Sequence, residues 1–194
     1  GFEQNLPSYW TKGAEPSGST LSWATDEFLS MGKSLKIEKF VTTEAARWES
    51  ENMCDLWSPK HVANADIKFG MYYKTLGVNT NPTTEDQKWF VSYTFYRENG
   101  TMIGETKFEL DQSVASTIGW VADTTAVGEV SLPEDSWTTI IRFVGGKDAT
   151  GTVWTDNYIF VSRPGPIWAG QDWNTQLGVP TGLFYWLHPI GGND

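Results

Sequence analysis

Aromatic residues are the side chains of this 194-residue chain that point most directly to a chemistry. The chain has 11 Trp, 7 Tyr and 10 Phe residues, which make up 14% of its length. Flat, rigid, apolar rings beyond what a core needs are typical of an exposed surface that stacks on sugar faces, bases or partner proteins. The net charge of -10 argues against a nucleic acid or an anionic membrane, because such partners attract a positive surface. The first expectation is therefore a neutral ligand on an aromatic surface.

Two aromatic residues lie in polar surroundings, which predicts that they are exposed. Trp48 belongs to residues 47–52, a strand-like stretch with almost no other apolar side chain. In residues 64–74 the odd positions are mostly apolar and the even positions mostly polar, and Tyr72 falls in the polar row. The candidate ligand contacts are Trp48, Trp57, Tyr72, Trp89 and Trp120 for stacking, with Arg47 and Gln112 for hydrogen bonds to hydroxyl groups. For Trp89 a place in the core stays open, because other apolar residues of its strand share its parity.

Catalytic patterns are weak in this sequence. Glu49 and Glu51 stand two apart on one strand face, roughly 6–7 Å apart, which is near the carboxyl spacing of glycosidases. Any two acidic residues at this spacing in a strand lie a similar distance apart. We therefore favour a solvent-exposed strand face over a catalytic pair. The two histidines, His61 and His188, have no partner at metal spacing. Cys54 is the single cysteine, which excludes an internal disulfide framework and a cysteine-rich zinc site.

The elements that must position these residues are strands. Nineteen glycines and nine prolines punctuate short runs rich in Val, Ile, Thr, Tyr, Phe and Trp. The predicted strands include residues 35–41, 89–96, 103–110, 137–144 and 152–161. Asn99-Gly100 predicts a hairpin turn between the second and third of these strands. No window keeps a helical apolar period, so we predict an all-β fold, a β-sandwich jelly roll of two antiparallel sheets.

The composition changes near residues 163–166, Arg-Pro-Gly-Pro. We therefore predict a β-sandwich module over residues 1–162 and a linker or C-terminal extension over residues 163–194. The run 183–187, Leu-Phe-Tyr-Trp-Leu, would not stay soluble if left bare, which favours an aromatic extension that packs on the sandwich.

Three motifs, in the same order and at similar spacing, resemble a known family. Residues 1–10 hold Gly-Phe-Glu followed by a Trp-bearing strand, residues 30–37 hold Gly-Lys-Ser-Leu-Lys-Ile, and residues 151–157 hold Gly-Thr-Val-Trp-Thr-Asp-Asn. Together they resemble carbohydrate-binding modules of the family 4/9/22 jelly-roll type, which are galactose-binding-domain-like. The resemblance covers residues 1–162, implies a two-sheet sandwich, and implies that the strand of Trp48 carries a ligand-stacking tryptophan.

The resemblance also implies a structural calcium ion. Carried over residue by residue, the carboxylates of Glu3 and Asp156 and the main-chain carbonyl of Lys33 are its ligands. Calcium takes roughly 6–8 oxygen ligands, so this donor set is chemically reasonable. The alternative is that Glu3 is a solvated terminal residue and Asp156 caps a turn. Asp156 stands between aromatic residues of a strand, where an unpaired carboxylate is costly, and this favours the metal.

The expected function is non-catalytic polysaccharide binding by aromatic stacking on one sheet face. The resemblance implies a module that tethers a larger, secreted or cell-surface carbohydrate-active enzyme to its substrate through a covalently linked catalytic domain. The acidic net charge favours a neutral glucan, xylan or mannan as the partner, with no nucleic acid and no membrane. Two alternatives stay open: a small jelly-roll glycan lyase or hydrolase, and a structural accessory module that binds no sugar.

Overall fold

Antiparallel β-strands form nearly all of the regular structure. The computed structural model describes residues 9–29, 32–41, 44–51, 66–123, 129–131, 133, 135–163 and 184–187. The strands of these residues are β1 (Trp10–Ala14), β2 (Ser19–Ala24), β3 (Ser34–Lys39), β4 (Ala46–Ser50), β5 (Asp66–Leu76), β6 (Trp89–Tyr96), β7 (Met102–Glu109), β8 (Val121–Asp123), β9 (Glu129–Ser131), β10 (Thr138–Gly145), β11 (Gly151–Arg163) and β12 (Phe184–Leu187). A 3-10 turn, Glu85–Gln87, precedes β6. A search of the same residues for a helix long and apolar enough to span a membrane finds none.

The strands are arranged in two sheets. The five-stranded sheet has the order β1-β4-β10-β6-β7, and the seven-stranded sheet has the order β2-β3-β11-β5-β8, with β9 beside β5 and β12 beside β11. Every pairing between neighbouring strands is antiparallel. The predicted all-β jelly-roll sandwich is confirmed. The predicted Asn-Gly hairpin is also present, since β6 and β7 pair directly across it.

The core lies between the sheets and is built by strand alternation. On β6, the side chains of Trp89, Val91, Tyr93 and Phe95 join one buried cluster, and the alternate residues face the other way. Trp48 of β4 belongs to the same cluster and is 0% exposed. Its indole nitrogen donates a 3.1 Å hydrogen bond to the main-chain oxygen of Lys36 on β3, which joins the two sheets. Removing a side chain of this size from water stabilises a fold by about 1.5–3 kcal/mol.

The second half of β11 carries the only described part of the C-terminal segment. Phe184–Leu187 pairs antiparallel with residues 158–161 of β11. This edge of β11 lies beyond the stretch that pairs with β3, which ends at Thr155. The division of the chain into residues 1–162 and 163–194 stays a prediction.

Candidate functional site

The outer face of the five-stranded sheet gathers the polar and aromatic groups that could recognise a ligand. This face is formed by the side chains that alternate with the core residues of each strand. Its polar and aromatic members include Arg47 and Glu49 on β4, Arg142 on β10, Phe90, Ser92, Thr94 and Tyr96 on β6, and Glu105, Lys107 and Glu109 on β7. We call this set the outer face.

Glu49 and Arg142 form the centre of a hydrogen-bonded network. The carboxylate oxygen Oε1 of Glu49 accepts bonds from Arg142 Nε at 2.7 Å and from Arg47 Nε at 2.9 Å. The remaining guanidinium nitrogens of Arg142 donate to the hydroxyl of Thr94 and, at 2.8 Å, to the hydroxyl of Tyr96. Three strands, β4, β10 and β6, are thus joined across the face by one arginine. Bonds to charged groups are stronger than neutral ones, so the network holds these side chains in fixed positions.

Strand register explains why the sequence builds this network. Arg142 lies directly across from Glu49 on one side and from Ser92 on the other, and Ser92 in turn lies across from Lys107. One row across four strands therefore reads carboxylate, guanidinium, hydroxyl and ammonium. On β1, a Cβ atom at Gly13 would collide with the Glu49 side chain, so glycine at that position leaves the carboxylate its space.

The pKa shifts of this network keep it charged. Burial alone would raise the pKa of Glu49, but hydrogen bonds from Arg142 and Arg47 bring it below its usual value. Burial alone would lower the pKa of Arg142, but the bonds to Glu49 and Tyr96 raise it. A carboxyl group with a lowered pKa is a poor general acid, because it has no proton to donate near neutral pH.

Ion pairs balance the charges of the outer face and its rim. Arg47 and Arg142 pair with Glu49, Lys88 pairs with Glu85 and Glu109, and Lys107 lies 3.9 Å from Glu85 and 3.8 Å from Glu105. The paired groups are therefore four cations and four carboxylates. This balance contrasts with the net charge of -10 for the whole chain.

The outer face is recessed along β6, because the side chains of the neighbouring strands extend further from the sheet. Phe90, Ser92 and Thr94 point outward but are only 8%, 0% and 0% exposed, because longer side chains from β10 and β7 flank them. The hydroxyl of Ser92 is buried and has no hydrogen-bond partner among the described residues. An aromatic ring, hydroxyl groups and a fixed guanidinium–carboxylate pair are the groups that bind a ring compound rich in hydroxyls.

The structure corrects the prediction that Trp48 is exposed. Trp48 is fully buried, and it faces the core because it alternates with Arg47 and Glu49, which occupy the outer face. The polar neighbours in its own strand indicated a wet environment, but its apolar contacts come from other strands. Phe143, its cross-strand partner on β10, is one of them.

Two more candidate ligand contacts are also inside the protein. Trp89 is 0% exposed and belongs to the core cluster, so the core alternative is right and the stacking assignment is wrong. Gln112 is 4% exposed, and its amide is used internally. Its oxygen accepts from the Trp89 main-chain nitrogen at 2.8 Å, and its nitrogen donates to the Asn79 main-chain oxygen at 2.9 Å. Gln112 therefore fixes loops to the start of β6 and is not available for a ligand hydroxyl.

The remaining candidates do not come together with Arg47. Tyr72 is half-buried on the outer side of the seven-stranded sheet, while Met71 and Tyr73 are each 2% exposed, which confirms the predicted alternation over residues 71–74. Trp120 is half-buried just before β8, at the edge of that same sheet. Trp57 lies outside the described residues. Of the predicted ligand contacts that the structure describes, only Arg47 is placed on the outer face of the five-stranded sheet.

A short loop covers part of the opposite side of the sandwich. In residues 26–29, here called the strap, Asp26 accepts bonds from Lys36 on β3 and, at 3.0 Å, from the indole nitrogen of Trp154 on β11. Glu27 pairs with Lys74 on β5 at 2.6 Å. Because the strap crosses three strands, Trp154 is only 4% exposed although it points outward.

The predicted calcium ligands are only partly described. Asp156 is 0% exposed at a bulge of β11, and its carboxylate oxygens accept bonds from the main-chain nitrogens of Asn157 at 2.7 Å and Leu29 at 2.9 Å. Lys33 is predicted to contribute its main-chain carbonyl, and its ammonium group lies 4.1 Å from the centre of the Trp23 ring. Glu3 lies outside the described residues, and the described part of the chain holds no group of three His, Cys, Asp or Glu side chains suited to a metal.

Sequence reasoning missed the residues at the centre of the network. Arg142, Thr94 and Tyr96 were not candidates, although the alternation of β10 around Ile141 and Phe143 places Arg142 on the outward side. Recognising the site also required knowing that β10 lies between β4 and β6, a long-range pairing that no local pattern reveals.

Comparison with known proteins identifies the fold. No protein-family model matches the sequence, and no curated protein sequence matches it. The enzymatically active domain of bacteriophage CBA120 tailspike protein 4 superposes with a TM-score of 0.53 at 16% identity, covering 79% of this chain and 19% of that one. The tandem CBM22-1-CBM22-2 domain of Paenibacillus barcinonensis Xyn10C superposes with a TM-score of 0.50 at 12% identity, covering 82% of this chain and 43% of that one. The chain thus spans about a fifth and under half of these two structures, and it shares the β-sandwich fold found in carbohydrate-binding modules.

Proposed function

We propose that this protein binds polysaccharide chains, without cleaving them, on the outer face of the five-stranded sheet. The network around Arg142 is the observation that carries the proposal, since it fixes a guanidinium, a carboxylate and two hydroxyls beside the ring of Tyr96, on the same face as Phe90. A sugar offers hydroxyl groups that need planar polar partners and an apolar face that packs on aromatic rings. The shared sandwich fold supports the same assignment.

A neutral polymer is the proposed ligand class, with glucan, xylan or mannan as the candidates. The paired cations and carboxylates of the face balance, so no free positive charge is offered to a uronate or sulfate group. The negative charge of the whole chain also repels polyanions.

Binding without cleavage agrees with the state of the acidic residues. Glu49 is engaged by two arginines and its pKa is lowered, whereas a glycosidase needs one carboxyl group with a raised pKa as the acid. Glu51, the second member of the sequence pair, is exposed just after β4.

We further propose that the protein acts as a family 4/9/22-type module in a secreted or cell-surface carbohydrate-active enzyme. A module that binds the polymer raises the local concentration of a linked catalytic domain at its substrate.

Calcium is proposed as a structural ion held by Asp156, the Lys33 carbonyl and Glu3. A buried carboxylate at a bulge supports the proposal, because a hard cation offsets its charge and each carboxylate oxygen can accept more than one bond. We expect the thermal unfolding midpoint to rise on adding calcium after treatment with a chelator. Asp156→Asn is expected to remove that response, and an unchanged midpoint in wild type would refute the calcium proposal.

Affinity electrophoresis against soluble polysaccharides tests the binding proposal. The panel contains a neutral glucan, xylan and mannan, with a polyuronate as the charged comparison. Tyr96→Ala removes an aromatic ring and a hydroxyl from the outer face, and Tyr72→Ala is the matched control on the opposite side of the sandwich. We expect wild type and Tyr72→Ala to be retarded by at least one neutral polymer, and Tyr96→Ala to lose most of that retardation.

Other outcomes would redirect the assignment. If Tyr96→Ala and Tyr72→Ala are retarded as strongly as wild type, the binding site does not lie on the outer face. Retardation lost only in Tyr72→Ala would place it on the seven-stranded sheet. A folded wild type that none of the polymers retards would leave the structural accessory module as the better function, and release of reducing sugar would show an enzyme.

A further inference from the structure

Lys107 covers the two groups of the outer face that most resemble an unused binding site. Its ammonium nitrogen lies 4.9 Å from the centre of the Phe90 ring, and its residue is the direct cross-strand partner of Ser92. Phe90 and Ser92 both point away from the core, on alternate positions of β6. An aromatic ring and a hydroxyl therefore lie side by side under one lysine.

The covered hydroxyl has no partner among the described residues. Ser92 is 0% exposed, and its oxygen makes no hydrogen bond there. A buried polar group normally has a partner, and leaving one unpaired is unfavourable. The ammonium group of Lys107 can donate a hydrogen bond but cannot accept one. The hydroxyl proton of Ser92 therefore finds no acceptor in the lysine.

The lysine itself is held loosely. Its ion pairs with Glu85 and Glu105 are long, at 3.9 and 3.8 Å, and its side chain is 39% exposed. Lys88, on the same side of the sheet, is held at 2.6 Å by Glu109. Exposed ion pairs with poor geometry contribute little, so moving Lys107 is the least costly way to open the face. Arg142, on the other side of Ser92, is fixed by the bonds of its network.

We propose that Lys107 is a movable cover over a latent sugar subsite formed by Phe90 and Ser92. When the lysine swings aside, one ring of a neutral polysaccharide packs its apolar face on Phe90 and bonds a hydroxyl to Ser92. This inference rests on the proposed function and adds a specific prediction to it. Removing the cover strengthens binding, whereas loss of an ordinary ligand-contacting lysine weakens it.

The experiment measures the dissociation constants of four proteins by isothermal titration calorimetry. The probes are cellohexaose, xylohexaose and mannohexaose, each an uncharged oligosaccharide. Wild type is compared with Lys107→Ala, with Ser92→Ala, and with Lys88→Ala. The last variant is the matched control, because it removes the same charge from the same side of the sheet, and the ammonium group over the Phe90 ring is that of Lys107. Thermal unfolding of each variant verifies that it is folded.

We expect Lys107→Ala to bind the preferred oligosaccharide about threefold to tenfold more tightly than wild type, and Lys88→Ala to bind within about twofold of it. Ser92→Ala is expected to bind about threefold to tenfold more weakly, the usual loss for one hydrogen bond. If Lys107→Ala binds more tightly and Ser92→Ala binds like wild type, Lys107 is a cover but Ser92 is not part of the subsite.

Two results would overturn the inference. If wild type binds an oligosaccharide and Lys107→Ala binds it equally or more weakly, the cover does not exist although the proposed function stands. If neither wild type nor Lys107→Ala binds any of the probes, the proposed function fails on this face and the inference fails with it.

Discussion

Glu49 is held between two guanidinium groups, and this one carboxylate organises the outer face. Without it, Arg142 and Arg47 would repel each other and the guanidinium of Arg142 would lose one of the bonds that fix its plane. Because folding lowers the pKa of Glu49, this interaction contributes stability above the pKa of the unfolded chain, near 4.5. That contribution is lost as the pH falls through the lower pKa of the folded protein.

We expect Glu49→Gln to lower the free energy of unfolding at pH 7 by about 1–2 kcal/mol, because a charged hydrogen-bond acceptor is lost from a half-buried site. The difference from wild type is expected to shrink as the pH falls below 4.5. Urea unfolding at pH 7 and pH 3 measures both effects. Glu105→Gln is the control, since the ion pair that Glu105 makes with Lys107 is 3.8 Å long, and a loss as large as that of Glu49→Gln would contradict the argument.

Trp48 shows what a residue's local sequence cannot reveal. We expect Trp48→Ala to destabilise the fold by roughly 3–5 kcal/mol, because it leaves a large cavity and breaks the bond between the sheets. Tyr72→Ala, a half-buried aromatic on the opposite side, is expected to cost much less. Denaturant titrations of the two variants make the comparison, and similar losses would mean that Trp48 is less tightly packed than its burial indicates.

At the scale of elements, local patterns predicted the strands and left their order open. The predicted strands 89–96, 137–144 and 152–161 lie within or close to β6, β10 and β11, because alternation and turn residues are local signals. The assembly of the outer face depends on β10 inserting between β4 and β6, which are far apart in sequence. Arg47 was found because it lies beside a conspicuous tryptophan, whereas Arg142 had no such neighbour.

Two glycines at turns should respond very differently to substitution. Gly151 begins β11 with a φ of +109°, and a Cβ atom there would lie 2.7 Å from the main chain of Gly77. Gly100, at the hairpin tip, has a φ of +79° and open space around it. We expect Gly151→Ala to cost at least about 2 kcal/mol and Gly100→Ala about 1 kcal/mol. Thermal unfolding of both variants tests this, and equal losses would show that the contact with Gly77 relaxes freely.

At the scale of the whole molecule, the ionisable groups define a pH window for stability. Folding lowers the pKa of Glu15, Asp26, Glu49 and Asp111, and it raises the pKa of Lys36 and Arg142. The lowered carboxyl groups contribute stability that is complete above about pH 5 and is lost in acid. The raised cationic groups contribute below about pH 10 and lose their contribution only in strong alkali.

We therefore expect the thermal unfolding midpoint to be nearly constant between pH 6 and 9 and to fall steeply below pH 4. For a domain of this size, each 1 kcal/mol lost lowers the midpoint by about 2–4 °C. Differential scanning calorimetry across this range measures the profile. In Asp26→Asn we expect the unfolding midpoint to fall less steeply below pH 4. The variant has no carboxylate at this position, so protonation can no longer weaken the bonds to Lys36 and Trp154. A midpoint that rises in acid would contradict the assignment of the carboxyl groups.

The loop of residues 146–150 joins β10, inside one sheet, to β11, inside the other. The outer face that we propose as the ligand site is built in part on β10, and β11 pairs with β12, the described part of the C-terminal segment. A pulling force between bound ligand and Arg163, at the end of β11, would therefore pass through these two strands. Each is hydrogen-bonded on both sides, to β4 and β6 or to β3 and β5. Extracting either strand under load means shearing two ladders at once, so this topology resists mechanical tension better than one that places the loaded strands at the sheet edges.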